Sequence, residues 1–200
     1  MVKFNIQTTT RFNEIMRMCG DTTNKIILEL GAGRYKLAEC FREYKKSITM
    51  DAVGRPTIKC DLNKGIKLKN NSVDIIIAGE IIEHLRNPEF ILNECKRVLK
   101  KNGILVLSVP NCCSFKLRIK LLFGILDTAF CVPADEEFKW EKHNTDFSYE
   151  IIKNLLNKVG FEIKDYQTEG IIVHSTKLFP RCLSPKTFGD GIILKCEIKK

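Results

Sequence analysis

The stretch Ile26-Ile27-Leu28-Glu29-Leu30-Gly31-Ala32-Gly33 constrains this chain more than any other. An apolar run that stops abruptly at two closely spaced glycines reads as a buried strand turning into a helix. Gly31 allows the tight turn, and Gly33 lets a ligand approach the backbone without meeting a Cβ. A helix expected over residues 34–45 would then aim its free N–H groups at that ligand. Nucleotide folds of this kind place an acid about 20 residues beyond the first glycine, where it meets ribose hydroxyls. Asp51 stands at that distance, closing the apolar Ser47-Ile48-Thr49-Met50, with Ala52 beside it.

Two details bear on which nucleotide is meant. The third glycine of a dinucleotide fingerprint is replaced by Lys36, so the full G-x-G-x-x-G is absent. Glu29 lies two residues before Gly31, at the expected rim of the turn. A carboxylate there repels a pyrophosphate but suits a cationic ligand, such as an amino-acid ammonium group near a sulfonium. S-adenosylmethionine carries both cations and no phosphate. The bland alternative is a tight strand-to-helix turn with no ligand.

Two hundred residues with 44% hydrophobic content suit one domain over residues 1–200. No apolar run reaches the roughly 18 residues that a membrane span needs, and Met1 to Asn5 lacks a signal-peptide core. A soluble, cytoplasmic protein is therefore expected. Nine cysteines, with no C-x-x-C, argue for reduced thiols rather than a disulfide framework or a zinc site. The net charge of +9 comes from lysines spread along the chain, as on a solvated basic surface, although an anionic partner stays open.

Along the chain, Phe12, Ile15, Met16 and Cys19 mark one face of a helix over residues 8–19, with Thr10 as its expected N-cap. This helix is expected at the sheet edge or over the ligand mouth, where Arg11 is either a surface arginine or a partner for a ligand carboxylate. Strands follow at 25–30 and 47–51, and a short one at 58–62 ends in Asp61 and Leu62. Asp61 can accept from an adenine amino group while Leu62 packs on the ring; equally, Asp61 can be a turn residue before Asn63. Val73 to Ala78 is apolar on both faces, as a central parallel strand should be, and Gly79-Glu80 follows at its carboxyl end. Asn87-Pro88 starts a helix, residues 104–109 form the fifth strand, and Ser148 caps a helix over 149–159 that Gly160 ends. Strands from Phe161 to Tyr166 and from Ile192 to Ile198 complete the pattern. Between them, residues 112–142 break the rhythm; Ser114 to Leu126 is expected to be helical, and the insertion is expected to overhang the pocket as a lid.

This order of signals resembles the class I S-adenosylmethionine-dependent methyltransferases, most closely the small-molecule group that includes the quinone-biosynthesis enzymes. The matching residues are Leu28 to Gly33, Met50-Asp51, Cys60-Asp61-Leu62 and the block from Ser72 to Asn111, with Glu80-Ile81-Ile82-Glu83-His84-Leu85 inside it. His143 and Phe147 to Phe161 match the later helix of that group. The resemblance covers roughly residues 24 to 165 and implies an α/β, Rossmann-like three-layer α/β/α sandwich. Its seven-stranded sheet would be mostly parallel, with the last strand inserted antiparallel. It also implies that Glu29, Gly31, Ala32, Gly33, Asp51, Ala52, Asp61, Leu62, Gly79 and Glu80 line the S-adenosylmethionine site. Arg34-Tyr35 stands where many members carry a third glycine.

Methyl transfer from a sulfonium asks the protein to align a nucleophile and, where needed, to remove its proton. Glu80, Glu83 and His84 stand at i, i+3 and i+4, and His84 is a candidate base because an imidazole titrates near neutrality. Glu83 and His143 complete the candidate catalytic set. The alternatives are that Glu83 and His84 only fix the Arg86-Asn87-Pro88 turn, or that two carboxylates and an imidazole hold a divalent metal; no metal is expected. Cys112-Cys113, after the fifth strand, occupy the place of a cysteine nucleophile in some RNA cytosine methyltransferases, but the flanking Pro110-Asn111 fits the small-molecule group. The expected function is methyl transfer from S-adenosylmethionine to a small molecule, leaving S-adenosylhomocysteine. An RNA substrate and a non-catalytic, cofactor-binding regulatory module are the rival readings.

Overall fold

The computed structural model describes residues 6–33, 36–125, 143–169, 171–173, 176–179 and 187–199. The expectations placed on Arg34, Tyr35 and most of the lid, from 126 to 142, lie outside these residues. The chain runs α1 (Ile6–Cys19), β1 (Ile26–Leu30), β2 (Lys46–Asp51), β3 (Ile58–Lys59), β4 (Val73–Gly79), α2 (Pro88–Val98), β5 (Leu99–Pro110), α3 (Phe115–Leu122), α4 (Tyr149–Val159), β6 (Phe161–Thr168), β7 (Ile171–Val173), β8 (Thr176–Phe179) and β9 (Gly191–Ile198). Seven strands make one sheet in the order β3-β2-β1-β4-β5-β9-β6, while β7 and β8 pair separately as an antiparallel ribbon. The first five strands of the order are parallel, and β9 runs antiparallel between β5 and β6.

The alternation within β4 shows why the sheet is buried on both sides. Ile75 and Ile77 join Ile27, Val106 and Ile193 beneath Ile15 and Met18 of α1. Ile76 and Ala78 point the other way and pack with Leu28, Leu30, Leu105 and Leu107 against the apolar faces of α2 and α4. Successive side chains of a strand face opposite sides, so a continuous apolar run needs a helix layer on each. The result is the expected three-layer sandwich.

The helix ends follow local chemistry. Asn87 Oδ1 accepts from Phe90 N at 3.0 Å, with Pro88 at the first helical position. Ser148 Oγ accepts from Ile151 N at 3.3 Å, and Gly160, at φ +95°, closes α4 in a left-handed turn. Ser114 caps α3 through Leu117 N, but this helix stops at Leu122, short of the expected Leu126.

Three expectations are corrected. The helix expected over 34–45 is, among the described residues, a single 3-10 turn, Leu37–Cys40. Among the described residues there, only Leu37, Ala38 and Phe41 are buried, which one turn satisfies before the chain enters β2. Thr10 is not an N-cap, because α1 is already running from Ile6. The third strand is cut to two residues, because Asp61 accepts from Asn63 N at 2.9 Å and starts a 3-10 turn, Leu62–Lys64.

Candidate functional site

The strand order reverses between β1, which connects outward to β2, and β4, which connects the other way toward β5. The carboxyl ends of two such strands diverge and leave a crevice. It encloses about 300 Å³ and is lined by Glu29, Gly31, Ala32, Gly33, Leu37, Ile77, Gly79 and Glu80, with Arg11, Phe12 and Ile15 of α1 as its wall. Six of the sequence-derived cofactor residues thus meet in one cavity. Asp51 supports it from behind: Oδ2 accepts from Gly33 N at 2.8 Å, and Oδ1 from Val53 N at 2.9 Å. Ala52 is the link between these contacts. Asp61 and Leu62 are not brought to this lining: Asp61 is exposed and caps its own turn, and Leu62 is buried in the core.

The two glycines do different work. Gly31 sits at φ +70°, and a Cβ there would lie 2.6 Å from the Ile81 side chain. Gly33 sits at φ +52°, and a Cβ there would meet only Gly31 O, at 4.0 Å, so the space beside it is open. Close packing demands the first glycine, whereas the second leaves the cavity floor bare.

Glu29 is oriented differently from the expectation of an outward-facing rim. Its carboxylate turns back and accepts from Leu37 N at 3.0 Å and from Ala38 N at 2.9 Å, while the side chain still lines the cavity. It therefore ties β1 to the 3-10 turn that follows it. Burial pushes its pKa up to about 7, against the two amide donors that favour the charged form.

The opposite wall holds more charge. Glu80 adopts φ +51°, a left-handed backbone unusual for a non-glycine residue and frequent at functional corners. Its Oε2 lies 3.3 Å from Arg11 Nη1, and Arg11 Nε donates to Glu169 Oε1 at 2.7 Å. Burial, with the charge of Glu169 adding, pushes Glu80 up against the pull of Arg11. Arg11 thus clamps α1 onto the ends of β4 and β6. Glu169 is the residue that sequence reasoning missed. It stands 158 residues from its partner, and no local pattern announces the pair.

Beyond Glu80, the backbone makes a 3-10 turn, Ile82–His84, rather than a regular helix. Glu83 is 1% exposed, and burial, then the charge of Glu80, raises its pKa well above the ordinary carboxylate range. His84 and His143 meet edge to face, with ring centres 4.9 Å apart. Glu83 O accepts from Asn144 N and Thr145 N, and Asn144 Nδ2 donates to His84 O, which brings His143 to this corner. One ligand atom each from Glu83, His84 and His143 lie within 4.8 Å of one another. His143 Nδ1 stands 3.8 Å from Asp146 Oδ1, and burial, then the proximity of His84, lowers its pKa. The Arg86 turn is held differently, with Arg86 N donating to Asn63 Oδ1. Cys112 and Cys113 are free thiols 3.9 Å apart, and burial pushes Cys112 up to about 12, unlike an activated nucleophile. No helix among the described residues is long and apolar enough to cross a membrane.

Comparison with known proteins agrees with this geometry. The family model described as a methyltransferase domain matches residues 28–107. A probable S-adenosylmethionine-dependent methyltransferase of Mycolicibacterium smegmatis is 26% identical over 100 residues, covering 50% of this chain and 33% of that protein. The ubiquinone biosynthesis O-methyltransferase of Histophilus somni is 26% identical over 123 residues, covering 51% of this chain and 52% of its own length. The chain thus spans about half or less of these relatives. Among solved structures, a possible histamine N-methyltransferase of Thermotoga maritima superposes with TM-score 0.67 at 18% identity, covering 96% of this chain and 88% of that one. The 1,6-didemethyltoxoflavin-N1-methyltransferase of Burkholderia thailandensis, solved with bound 1,6-didemethyltoxoflavin and S-adenosylhomocysteine, gives TM-score 0.64 at 14% identity, covering 98% of this chain and 80% of that one. At these identities the structures speak for the fold, while the matched domain adds the sequence. Together they show that residues 28–107 match a methyltransferase domain and that the chain has the Rossmann-like fold of solved S-adenosylmethionine-dependent methyltransferases.

Proposed function

We propose that this chain transfers a methyl group from S-adenosylmethionine to a small-molecule acceptor. The observation that carries the reading is the crevice between β1 and β4, with its bare glycine floor and its carboxylates. The residues present fit the cofactor: the space beside Gly33 is open, and the Glu80 carboxylate lines the cavity with the Ser108 hydroxyl beside it. When bound, S-adenosylmethionine supplies an electrophilic methyl group on a sulfonium, and in-line displacement leaves S-adenosylhomocysteine.

In this reading Gly31, Ala32, Gly33 and Gly79 shape the floor, and Glu80 receives the ammonium group. Asp51 uses one lone pair on each oxygen for the Gly33 and Val53 amides, so lone pairs remain for ribose hydroxyls. Glu29 holds the turn, and Ala52 borders the adenosine side. His143, kept neutral by its lowered pKa, accepts the proton that the acceptor loses, with Asp146 orienting the ring. His84 and Glu83 position His143 from the other side. A small molecule is favoured as acceptor because the crevice is small, about 300 Å³, and lined by carboxylates.

Calorimetry with S-adenosylhomocysteine tests the reading. Saturable heat and a raised melting temperature are expected; neither, at millimolar ligand, would end it.

A further inference from the structure

Four buried carboxylate oxygens in and beside the crevice wall make no hydrogen bond with the described residues: Glu80 Oε1, both oxygens of Glu83, and Glu169 Oε2, of which only Glu80 lines the crevice. Glu83 and Glu169 are each 1% exposed. Arg11 bridges Glu80 and Glu169 with one guanidinium, at 3.3 and 2.7 Å. Buried acceptors without donors carry a desolvation penalty that a matching ligand would relieve. The glycine-floored cavity includes Glu80 but not Glu83, whose carboxylate instead lies with the His84 and His143 nitrogens. The acidic surface therefore continues past the cofactor crevice to the two imidazoles.

We propose that this surface recognises the methyl acceptor through a protonated amine, so that the substrate class is a small molecule bearing an ammonium group. The inference rests on the methyltransferase reading. An ammonium group brings three donors to these oxygens, and a second positive charge to a cluster of three carboxyl groups that holds Arg11 alone. A carboxylate or phosphate on the acceptor would add a third negative charge to the Glu80 and Glu169 carboxylates, which share the one Arg11 cation. A neutral hydroxyl brings one donor and leaves the remaining oxygens unmet. The cofactor has a single ammonium group, which the lining residue Glu80 satisfies, so it does not answer for Glu83. Burial holds the Glu83 carboxyl toward its neutral form, and an arriving cation ionises it.

The test compares matched probes on the wild-type protein saturated with S-adenosylhomocysteine: tyramine against 4-hydroxyphenylacetate, and histamine against imidazole-4-acetate. Calorimetry is expected to show each amine binding at least about tenfold tighter than its carboxylate partner. In Glu83→Gln the preference should shrink by about the same factor. Equal binding, or a preference for the carboxylates, overturns the proposal. So does saturable binding of Mg²⁺ or Mn²⁺ that Glu83→Gln abolishes, with no preference for amines, since a metal would then be the occupant. Should Glu83→Gln fail to fold, the wild-type pairs decide alone. Failure of S-adenosylhomocysteine to bind would sink the methyltransferase reading instead, and the amine preference measured without it would still judge the acidic surface.

Discussion

The carboxylate of Glu29 is bound to two backbone amides inside the protein, and burial nevertheless pushes its pKa from 4.5 up to about 7. A carboxyl with a raised folded value contributes stability that is complete below its unfolded pKa and is lost as pH rises through the folded one. Wild-type protein should therefore lose stability as pH climbs from 4.5 through about 7. Glu29→Gln does not titrate and should flatten that part of the profile, by on the order of 3 kcal/mol at most. Urea denaturation of both proteins at about pH 5 and about pH 8 measures the difference; parallel profiles would show that Glu29 stays charged throughout. The glycines give a second contrast. Gly31→Ala drives a methyl into Ile81 and should cost about 2 kcal/mol or more of folding stability. Gly33→Ala meets no atom closer than 4.0 Å and should cost only about 1 kcal/mol, from its left-handed φ. Its methyl faces the cavity, however, and S-adenosylhomocysteine affinity should fall by roughly tenfold. Denaturation and calorimetry on the pair separate the two roles.

At the scale of elements, α1 is held by apolar packing and by one polar clamp. Phe12, Ile15 and Met18 face the sheet, and Arg11 reaches the ends of β4 and β6. Arg11→Ala leaves Glu80 and Glu169 facing each other, and a loss of about 2 kcal/mol is expected, reduced from the fully buried case because the arginine is partly exposed. Adding Glu169→Gln should recover at least part of it, and a double-mutant cycle by chemical denaturation reads the coupling. Strictly additive effects would show that the clamp contributes nothing. The same element shows what a sequence can and cannot disclose. The spacing of Phe12, Ile15, Met16 and Cys19 marked the helix, because a buried face repeats with the helical turn. Asn87-Pro88 and Ser148 marked the starts of α2 and α4, because capping is local chemistry. The Arg11–Glu169 pair had no such signal, because it is made by topology. The helix expected at 34–45 failed for a related reason: Glu29 supplies the acceptors for the Leu37 and Ala38 amides, and only a short apolar segment remained to be buried. The position of Glu29 was legible, but its direction was set by those amides.

Over the whole molecule, charge is separated by location. The net charge of +9 is spread along the chain, whereas Glu29 and Glu80 line the crevice, Arg11 bridges Glu80 to Glu169, and Glu83 lies buried next to Glu80. An RNA backbone would be drawn to the exterior and repelled at the mouth, since interactions between charges scale with their proximity and with how little water screens them. Binding of tRNA is thus expected to be non-specific, with affinity falling steeply as salt rises. The S-adenosylhomocysteine site should not take part: saturating tRNA at about 150 mM salt should leave the affinity for that ligand unchanged. At about a hundredfold excess over its dissociation constant, the ligand should add about 2.7 kcal/mol of stability, with or without tRNA. For a chain of this length that corresponds to a melting temperature raised by roughly 5–10 °C. If tRNA instead competed with the ligand, or remained bound with little dependence on salt, the acidic crevice would not be the part of the surface that RNA avoids. An RNA acceptor would then replace the small amine.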